Sequence, residues 1–215
     1  MTTTLVSSHK AHPWHGVVPG DRAPDVVNAY IELVPTDTVK YEVDKEYGIL
    51  RLDRPQKFSN QCPTLYGFIP QTYCGLGVGS FCSARIGEPN IEGDGDPLDI
   101  CVLTERPVGH GDILVRAIPI GGLRMIDGGK SDDKIIAVLQ DDGVFGDWRE
   151  ISACPAKLID RLRHYFLTYK LEPDSIDPRV RITDVFDAEE AKKIIGLACE
   201  DYDATFRRPV KVVAE

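Results

Sequence analysis

The sequence lacks an excess of basic residues and any long apolar run, and each absence excludes a class of protein. It has 34 acidic side chains against 25 Lys and Arg, which gives a formal net charge of −9 at pH 7. Nucleic-acid backbones and anionic membrane surfaces select basic faces, so this balance argues against both kinds of partner. No apolar stretch approaches the roughly 20 residues that cross a bilayer. We therefore expect no nucleic-acid partner and no membrane.

Cysteine pairs and targeting segments are missing as well. The six cysteines are scattered along the chain, and no two of them form a C-x-x-C pair. A chain of 215 residues can bury a full core, so it does not need disulfides for stability. Residues 1–10 contain no basic segment followed by an apolar one, as a secretory signal would require. We expect free thiols and a cytoplasmic location.

Most of the chain shows the apolar spacing of short strands. Residues 39–43 alternate strictly between apolar and charged side chains, and Gly48 separates them from 49–52, so the two segments predict a hairpin. Further strands are predicted over 30–34, 100–103, 113–118 and 135–139.

Two helices are predicted near the end of the chain. One follows Pro155, with apolar residues at helical spacing up to Tyr169. The other follows a capping box formed by Asp187 and Glu190. Many short strands followed by two helices predict an α+β fold that is mainly β, a twisted antiparallel sheet or barrel with helices packed outside.

The composition divides the chain into an arm, one domain and a tail. We expect an irregular N-terminal arm over 1–27, a single domain over 28–206 and a C-terminal tail over 207–215. Inside the domain, residues 73–93 are rich in Gly, Ser and Asn without clear periodicity, which indicates an insertion loop. Its segment 75–79 could cradle a phosphate, but it lacks a Gly-Lys-Ser/Thr ending, which favours plain flexibility.

The arm carries three histidines, His9, His12 and His15, around Trp14. Clustered imidazoles can bind a metal ion, and the alternative is an arm that its Trp packs against the domain. We favour the packed arm.

The most informative segment is an acidic cluster, Asp94–Asp99, that precedes an apolar strand. Three carboxylates lie within six residues, and like charges this close raise each other's pKa unless a cation joins them. A hard divalent cation with oxygen ligands removes such repulsion. Gly95 permits a tight bend, and Pro97 fixes its exit. A solvated acidic loop is the alternative, but a cluster that leads directly into a strand favours a metal site.

Two other carboxylate motifs fit less well. An EF-hand that begins at Asp94 needs an oxygen ligand at its fifth position and Gly at its sixth, where Leu98 and Asp99 stand. An aspartyl-phosphate phosphatase needs a buried apolar strand before its nucleophile, and residues 90–93 are not such a strand. That enzyme class remains an alternative, as does a non-catalytic binding barrel, which needs a basic groove with exposed aromatic residues.

A second acidic cluster joins two apolar strands at residues 127–134. Alone it is typical of a surface turn. Together with the first cluster, it could supply the other side of a cage for several metal ions. Basic and phenolic side chains are also available: Lys40, Arg54, Tyr66, Tyr169 and Lys170.

Taken together, these segments resemble the soluble family I inorganic pyrophosphatases. Residues 94–99 look like the signature of that family, and the order of the other segments is similar over about residues 28–200. Those segments are Glu32 before Pro35, Lys40–Glu42, Asp53–Arg54, Tyr66–Phe68, Asp127–Lys134 and Tyr169–Lys170. The arm and the insertion resemble a longer bacterial and protist subset. The resemblance implies a five-stranded OB-like barrel flanked by two C-terminal helices and loops.

The resemblance also implies a role for each matching residue. The implied metal ligands are Asp94, Asp99, Asp127, Asp132 and Glu42. The implied phosphate-binding residues are Lys40, Arg54, Tyr66, Lys134, Tyr169 and Lys170. Asp96 would accept a proton from the attacking water, and Glu32 would order water outside the metal ligands. Cys62 and Leu65 depart from the residues common at their positions, and neither is a direct ligand.

The activity implied by the resemblance is Mg²⁺-dependent hydrolysis of pyrophosphate to two orthophosphates by metal-activated water. This reaction would drive biosynthetic reactions that release pyrophosphate. All the implied metal ligands are oxygen donors, a set that Mg²⁺ prefers, and Mn²⁺ or Zn²⁺ could substitute. We expect several ions per site, pyrophosphate as the substrate and a homo-oligomer as the assembly.

Overall fold

The structure is a computed structural model that describes residues 10–172, 174–175 and 179–207. His9 of the arm and residues 208–215 of the predicted tail lie outside these ranges. Within them the strands are β1 (Val27–Leu33), β2 (Val39–Val43), β3 (Leu50–Pro55), β4 (Leu65–Phe68), β5 (Glu92–Gly93), β6 (Asp99–Leu103), β7 (Ile113–Asp127), β8 (Lys130–Ser131), β9 (Lys134–Leu139) and β10 (Val180–Asp187). The α-helices there are α1 (Leu76–Ile86), α2 (Ala156–Thr168) and α3 (Ala188–Phe206). None of these helices combines the length and the apolar composition that a membrane span needs.

Five strands close into a barrel. β1 pairs with β4, β4 with β6, β6 with β9 and β9 with β7, and β7 returns to β1. The β6–β9 pair is parallel, and the other four pairs are antiparallel. Closure gives each of these strands a partner on both sides. The predicted five-stranded OB-like barrel is confirmed.

The longest strand, β7, extends beyond the barrel. Its first half pairs with β1, and its second half pairs with β10. Its register against β9 shifts between Pro119 and Gly121, and Gly121 adopts a φ of +154°. A Cβ at Gly121 would lie 2.4 Å from the carbonyl oxygen of Phe186. Glycine therefore allows β10 to approach β7 at this point.

Apolar side chains fill the barrel and the interfaces with the helices. Inside the barrel, Ile31, Ile100 and Ile135 are wholly buried. α3 contributes Ala191, Ile194, Ile195 and Ala198 to the same cluster, whereas α2 belongs to a second cluster that includes Leu123 and Ile136. The consecutive residues Ile135 and Ile136 of β9 thus face different clusters, as the two-residue period of a strand requires.

The two predicted C-terminal helices are confirmed. α2 begins after Pro155, and α3 begins after Asp187, whose carboxylate accepts a hydrogen bond from Glu190 N at 2.9 Å. The Glu190 carboxylate accepts a hydrogen bond from the Arg124 guanidinium at 2.8 Å. It therefore bonds a side chain of β7 instead of the backbone at the start of α3. The predicted start of the helix is right, although the second half of the capping box is used elsewhere.

The prediction that residues 73–93 form a loop is wrong over the middle of the segment, where α1 lies. Gly and Ser are poor helix formers, and only Val78 and Cys82 are large buried residues of this helix. The local pattern therefore does not reveal it. β4 and β10 are also absent from the prediction, and β4 is only four residues long.

Trp14 anchors the described part of the arm. Its side chain is 5 % exposed, and its indole N–H donates to the carbonyl oxygen of Thr72 at 2.8 Å. The Nδ1 atom of His15 lies 2.8 Å from the hydroxyl of Tyr202 on α3. The arm therefore contacts both the barrel and the last helix.

Candidate active site

A cavity of about 280 Å³ lies beside the first residues of β6 and β9. The predicted site residues that line it are Glu32, Lys40, Glu42, Tyr66, Asp94, Asp96, Asp99, Asp127, Asp132, Lys134, Tyr169 and Lys170. They come from distant parts of the chain, and the fold brings their side chains together around one cavity. Arg54 is the predicted site residue that does not line the cavity.

The parallel pairing of β6 with β9 places two central site residues side by side. Asp99 is the first residue of β6, Lys134 is the first residue of β9, and the two are register partners. The Lys134 ammonium bonds the Asp99 carboxylate, which also accepts from the hydroxyl of Tyr66 at 2.7 Å. Tyr66 belongs to β4, the other neighbour of β6. Three adjacent strands thus supply three side chains in contact.

Lys134 is a buried cation between two carboxylates. Its side chain is 2 % exposed, and its ammonium lies 2.5 Å from Asp132 Oδ1 as well as against Asp99. Burial lowers the pKa of Lys134, but the charges of Asp132 and Asp99 hold that pKa well above its usual value. The lysine therefore stays charged, and its removal would leave both acids unpaired.

Burial also changes the pKa of one acid in the first cluster, Asp94, and of Asp132 in the second. Burial and the neighbouring charge of Asp132 raise the pKa of Asp94 to about 8. Burial raises the pKa of Asp132 too, although Lys134 counteracts it. In the first cluster, Asp94 Oδ1 accepts from Asp96 N at 3.0 Å, and Gly95 adopts a φ of +82° at the bend. A bound divalent cation would relieve the cost of ionising these buried carboxylates.

Lysine ammonium groups also reach the acids at the edge of the cavity. Lys170, just beyond the end of α2, lies 2.5 Å from Asp127 Oδ2 at the end of β7. Lys40 lies 3.8 Å from Glu42 Oε2, two residues along β2. The predicted cations and the predicted acids therefore occur as neighbours around one cavity.

Lys45 is a cavity residue that no sequence motif indicates. It lies in the turn after β2, and its ammonium bonds the Asp96 carboxylate. No periodic pattern marks it, because its partner is 51 residues away in the chain. Lys130 and Trp14 also line the cavity without having been predicted there. Their proximity depends on the fold and has no local signal.

Arg54 stands at the rim of the site. It is the register partner of Lys40 across the β2–β3 hairpin. Its guanidinium bonds the adjacent Asp53 and lies 6.0 Å from the centre of the Tyr169 ring. The side chain is 35 % exposed, so little packing opposes its turning toward a ligand in the cavity.

Glu32 is buried behind the hairpin. It is 6 % exposed, and its carboxylate accepts from Val43 N at 2.6 Å. Burial, with a smaller contribution from the charge of Asp99, raises the pKa of Glu32 to about 8. The bond to Val43 ties β1 to the end of β2, so Glu32 helps to position the hairpin that carries Lys40 and Glu42.

The donor set of the cavity suits a hard divalent cation. Its acids, all of them oxygen donors, are Glu32, Glu42, Asp94, Asp96, Asp99, Asp127 and Asp132. Within the described ranges these acids form no ready-made metal cage, and the ammonium of Lys134 lies between Asp99 and Asp132. The position of the Lys134 ammonium shows where positive charge stabilises the ionised carboxylates. Oxygen ligands with net negative charge favour Mg²⁺ or a similar ion over soft metals.

The chain matches known proteins over most of its length. A family model described as inorganic pyrophosphatase matches residues 29–203. This chain belongs to the inorganic pyrophosphatase family. An inorganic pyrophosphatase of Chlamydia trachomatis is 52 % identical over 196 residues, which cover 89 % of this chain and 94 % of that protein. Soluble inorganic pyrophosphatase 2 of Chlamydomonas reinhardtii is 37 % identical over 185 residues, which cover 86 % of this chain and 85 % of that protein.

A solved structure of this family has the same fold. The crystal structure of an inorganic pyrophosphatase from Thermus thermophilus matches with a TM-score of 0.74 at 28 % identity, covering 90 % of this chain and 99 % of that one. Inorganic pyrophosphatases are metal-dependent hydrolases, and the family and fold implied by the motifs are confirmed. Membership of a longer subset with an insertion stays a prediction.

Proposed function

We propose that the cavity hydrolyses inorganic pyrophosphate to two orthophosphates with Mg²⁺. The observation that carries this proposal is the convergence of both acidic clusters and their flanking cations on one cavity in a chain of this family. Pyrophosphate is a compact polyanion, and its charge must be neutralised while water attacks phosphorus. Removal of pyrophosphate would pull forward the biosynthetic reactions that produce it.

Five carboxylates are proposed to hold the metal ions. Asp94, Asp99 and Asp132 would bind the first ion, and Asp99 would bridge to a second. Asp127 and Glu42 would support further ions, directly or through water. When bound, Mg²⁺ supplies charge neutralisation and lowers the pKa of a coordinated water. Mn²⁺ and Zn²⁺ are proposed as substitutes with altered specificity.

Asp96 is proposed to accept a proton from the attacking water. Its side chain is 43 % exposed, so water reaches it, and its Oδ1 bonds the Lys45 ammonium. Both residues line the cavity, so the ion pair keeps the carboxylate at the cavity wall. The proton would pass to the Asp96 carboxylate as the water oxygen attacks phosphorus, while the bond from that phosphorus to the bridging oxygen breaks and the second orthophosphate leaves.

Cations and phenols around the cavity are proposed to hold the phosphate oxygens; they are Lys40, Arg54, Lys134, Lys170, Tyr66 and Tyr169. The ammonium groups neutralise charge, and Arg54 can bind two oxygens with its planar fork. Burial, with the charge of Asp99 beside it, raises the pKa of Tyr66 well above its usual value, so its hydroxyl remains a donor. Glu32 would order water outside the metal ligands.

Phosphate release from pyrophosphate, measured with and without Mg²⁺, tests the proposal. We expect release only with Mg²⁺, and much slower release from phosphomonoesters. Equal cleavage of phosphomonoesters, or a phosphoryl group trapped on Asp94, would indicate an aspartyl-phosphate enzyme instead. If pyrophosphate is not cleaved at any Mg²⁺ concentration, a non-catalytic binding barrel becomes the better description.

The protein is further proposed to be a cytoplasmic homo-oligomer. All six cysteines are free thiols and five of them are buried, which suits a reducing compartment. Exposed apolar side chains on and beside the β2–β3 hairpin, among them Tyr47, Ile49 and Leu52, suit contact with a second copy. Cell fractionation tests the location. Light scattering after gel filtration gives the mass of the assembly, and a monomer would contradict the oligomer.

A further inference from the structure

The residues that lead into α1 support the first acidic cluster, Asp94–Asp99. Cys74 N donates to the carbonyl oxygen of Asp96 at 2.8 Å, and Gly95 N donates to the carbonyl oxygen of Cys74 at 3.1 Å. These two bonds tie the backbone of the cluster to a residue just before the helix. A displacement of Cys74 would therefore move the carboxylates of the cluster.

The body of α1 packs on the strand that precedes this cluster. A Cβ at Gly79 would lie 2.6 Å from Gly93 N, so the helix and β5 touch backbone to backbone. One turn further along, Ser83 Oγ accepts from Ile91 N at 2.9 Å. Glycine at position 79 permits this close approach, because any side chain would push the helix away from β5.

The same helix supports the second acidic cluster, residues 127–134. β5 pairs with β8, which lies inside this cluster. The Phe81 ring of α1 lies 5.4 Å from the buried guanidinium of Arg124, and Arg124 Nε lies 3.2 Å from Asp133 Oδ2. Asp133 stands in the chain between two residues that line the cavity. α1 therefore braces both clusters from one side.

The start of α1 is held from outside the helix by Asp201 of α3. Gly75, the N-cap residue, has no side chain that could accept from the free N–H groups, and the first turn contains no acidic residue. The two carboxylate oxygens of Asp201 accept instead from Gly75 N at 3.1 Å, Gly77 N at 2.9 Å and Val78 N at 3.0 Å. Negative charge is favourable at this end of a helix.

We propose that Asp201 is a positioning residue for metal binding and that it acts through α1. The contacts run from Asp201 to the start of α1, and from α1 to both acidic clusters. This inference rests on the proposed function, because it concerns the affinity of those clusters for Mg²⁺. It also gives a role to residues 73–93, none of whose side chains lines the cavity.

Calorimetric titration of Mg²⁺ into the full chain, without pyrophosphate, tests this role. Asp201→Ala should weaken Mg²⁺ binding by about 10-fold, as the loss of groups that orient metal ligands does. The matched control is Asp187→Ala, which removes an equal charge from the other end of α3 together with the cap of that helix. We expect the control to lower the melting temperature and to leave Mg²⁺ affinity unchanged. Equal weakening in both variants would overturn the proposal.

A glycine pair provides a second test if Asp201→Ala does not fold. Gly79→Ala places a methyl group against β5, whereas Gly196→Ala on α3 meets no atom within 4 Å. The first variant should weaken Mg²⁺ binding and speed hydrogen exchange in both α1 and residues 93–99, and the second should do neither. Faster exchange confined to α1, with unchanged Mg²⁺ affinity, would overturn the role of the helix.

The outcomes separate this proposal from the proposed function. A wild-type chain that binds no Mg²⁺ would overturn both. A wild-type chain that binds Mg²⁺ and cleaves pyrophosphate, with unchanged Mg²⁺ affinity in Asp201→Ala, would overturn the positioning role alone.

Discussion

Lys134 shows, at the scale of one residue, how the chain balances its buried acids. Its ammonium lies between Asp99 and Asp132, and its side chain is almost wholly buried. One lysine and two ionised carboxylates leave a charge of about −1 at this point, in a setting where uncompensated charge is costly. The chain therefore supplies part of the positive charge, and a metal ion would supply the rest.

Asp99→Asn should lower the rate of pyrophosphate hydrolysis by about 10²–10³-fold. The amide keeps the shape of the side chain but loses the charge that bonds Lys134 and would hold two metal ions. Phosphate release at saturating Mg²⁺ measures the effect. The highly exposed Asp21→Asn serves as the control and should retain full activity. Near-normal turnover of Asp99→Asn would reject the bridging role.

His15 should make the fold less stable in mild acid. Burial, together with the nearby charge of His12, lowers the pKa of His15 below its usual value of 6.5. The unfolded chain then binds a proton more readily, so the free energy of unfolding falls as the pH drops below about 6.5. Urea unfolding at pH 7.5 and pH 5.5 should show a smaller difference for His15→Gln than for the wild type. An equal difference in the two proteins would contradict this origin.

At the scale of elements, those with a clean local pattern are predictable and those held by distant contacts are not. β2 occupies the predicted residues 39–43, because strict alternation reports a strand. α2 and α3 show helical apolar spacing in their sequences, and α3 also shows its cap residue. α1 does not, because its start depends on Asp201, more than a hundred residues away, and its glycines serve close packing rather than helix propensity.

Gly67→Ala should destabilise the barrel where β4 approaches β1. Gly67 pairs with Ile31 across these strands, and a Cβ there would lie 1.8 Å from the carbonyl oxygen of Tyr30. Because backbone must shift to make room, we expect the free energy of unfolding to fall by about 3 kcal/mol in urea titrations. Gly196→Ala is the matched control and should be neutral or stabilising, since α3 gains a better helix former. A neutral Gly67→Ala would mean that the two strands separate at little cost.

At the scale of the whole molecule, the sequence motifs identify most members of the candidate site but not its internal pairing. The acidic clusters could be found because they lie in short motifs beside apolar strands, and the tyrosines and lysines because their order along the chain resembles that of a known family. Lys45 could not, because its partner Asp96 lies in another part of the chain. The ion pair between Arg124 and Asp133 has no sequence signal either, because Arg124 lies within the largely apolar strand β7 and no local motif marks Asp133 as its partner.

Mg²⁺ should stabilise the folded chain, which has a net charge of −9 and gathers acids at one cavity. At a concentration about 100 times the dissociation constant, binding to the folded state adds about 2.7 kcal/mol, which raises the melting temperature by about 5–10 °C. Thermal unfolding with Mg²⁺, and again after a chelator is added, measures the effect. The increase should be much smaller in Asp99→Asn, and an equal increase in that variant would place the bound ions elsewhere.

The side-by-side start of β6 and β9 limits which insertions and deletions the chain can tolerate. Successive residues of a strand face opposite sides, so one residue gained or lost within either strand would turn Asp99 or Lys134 away from the cavity. Connecting segments carry no such restriction. Changes of length in this chain's lineage should therefore accumulate in connections such as residues 104–112, between β6 and β7, while the two strands keep a constant number of residues.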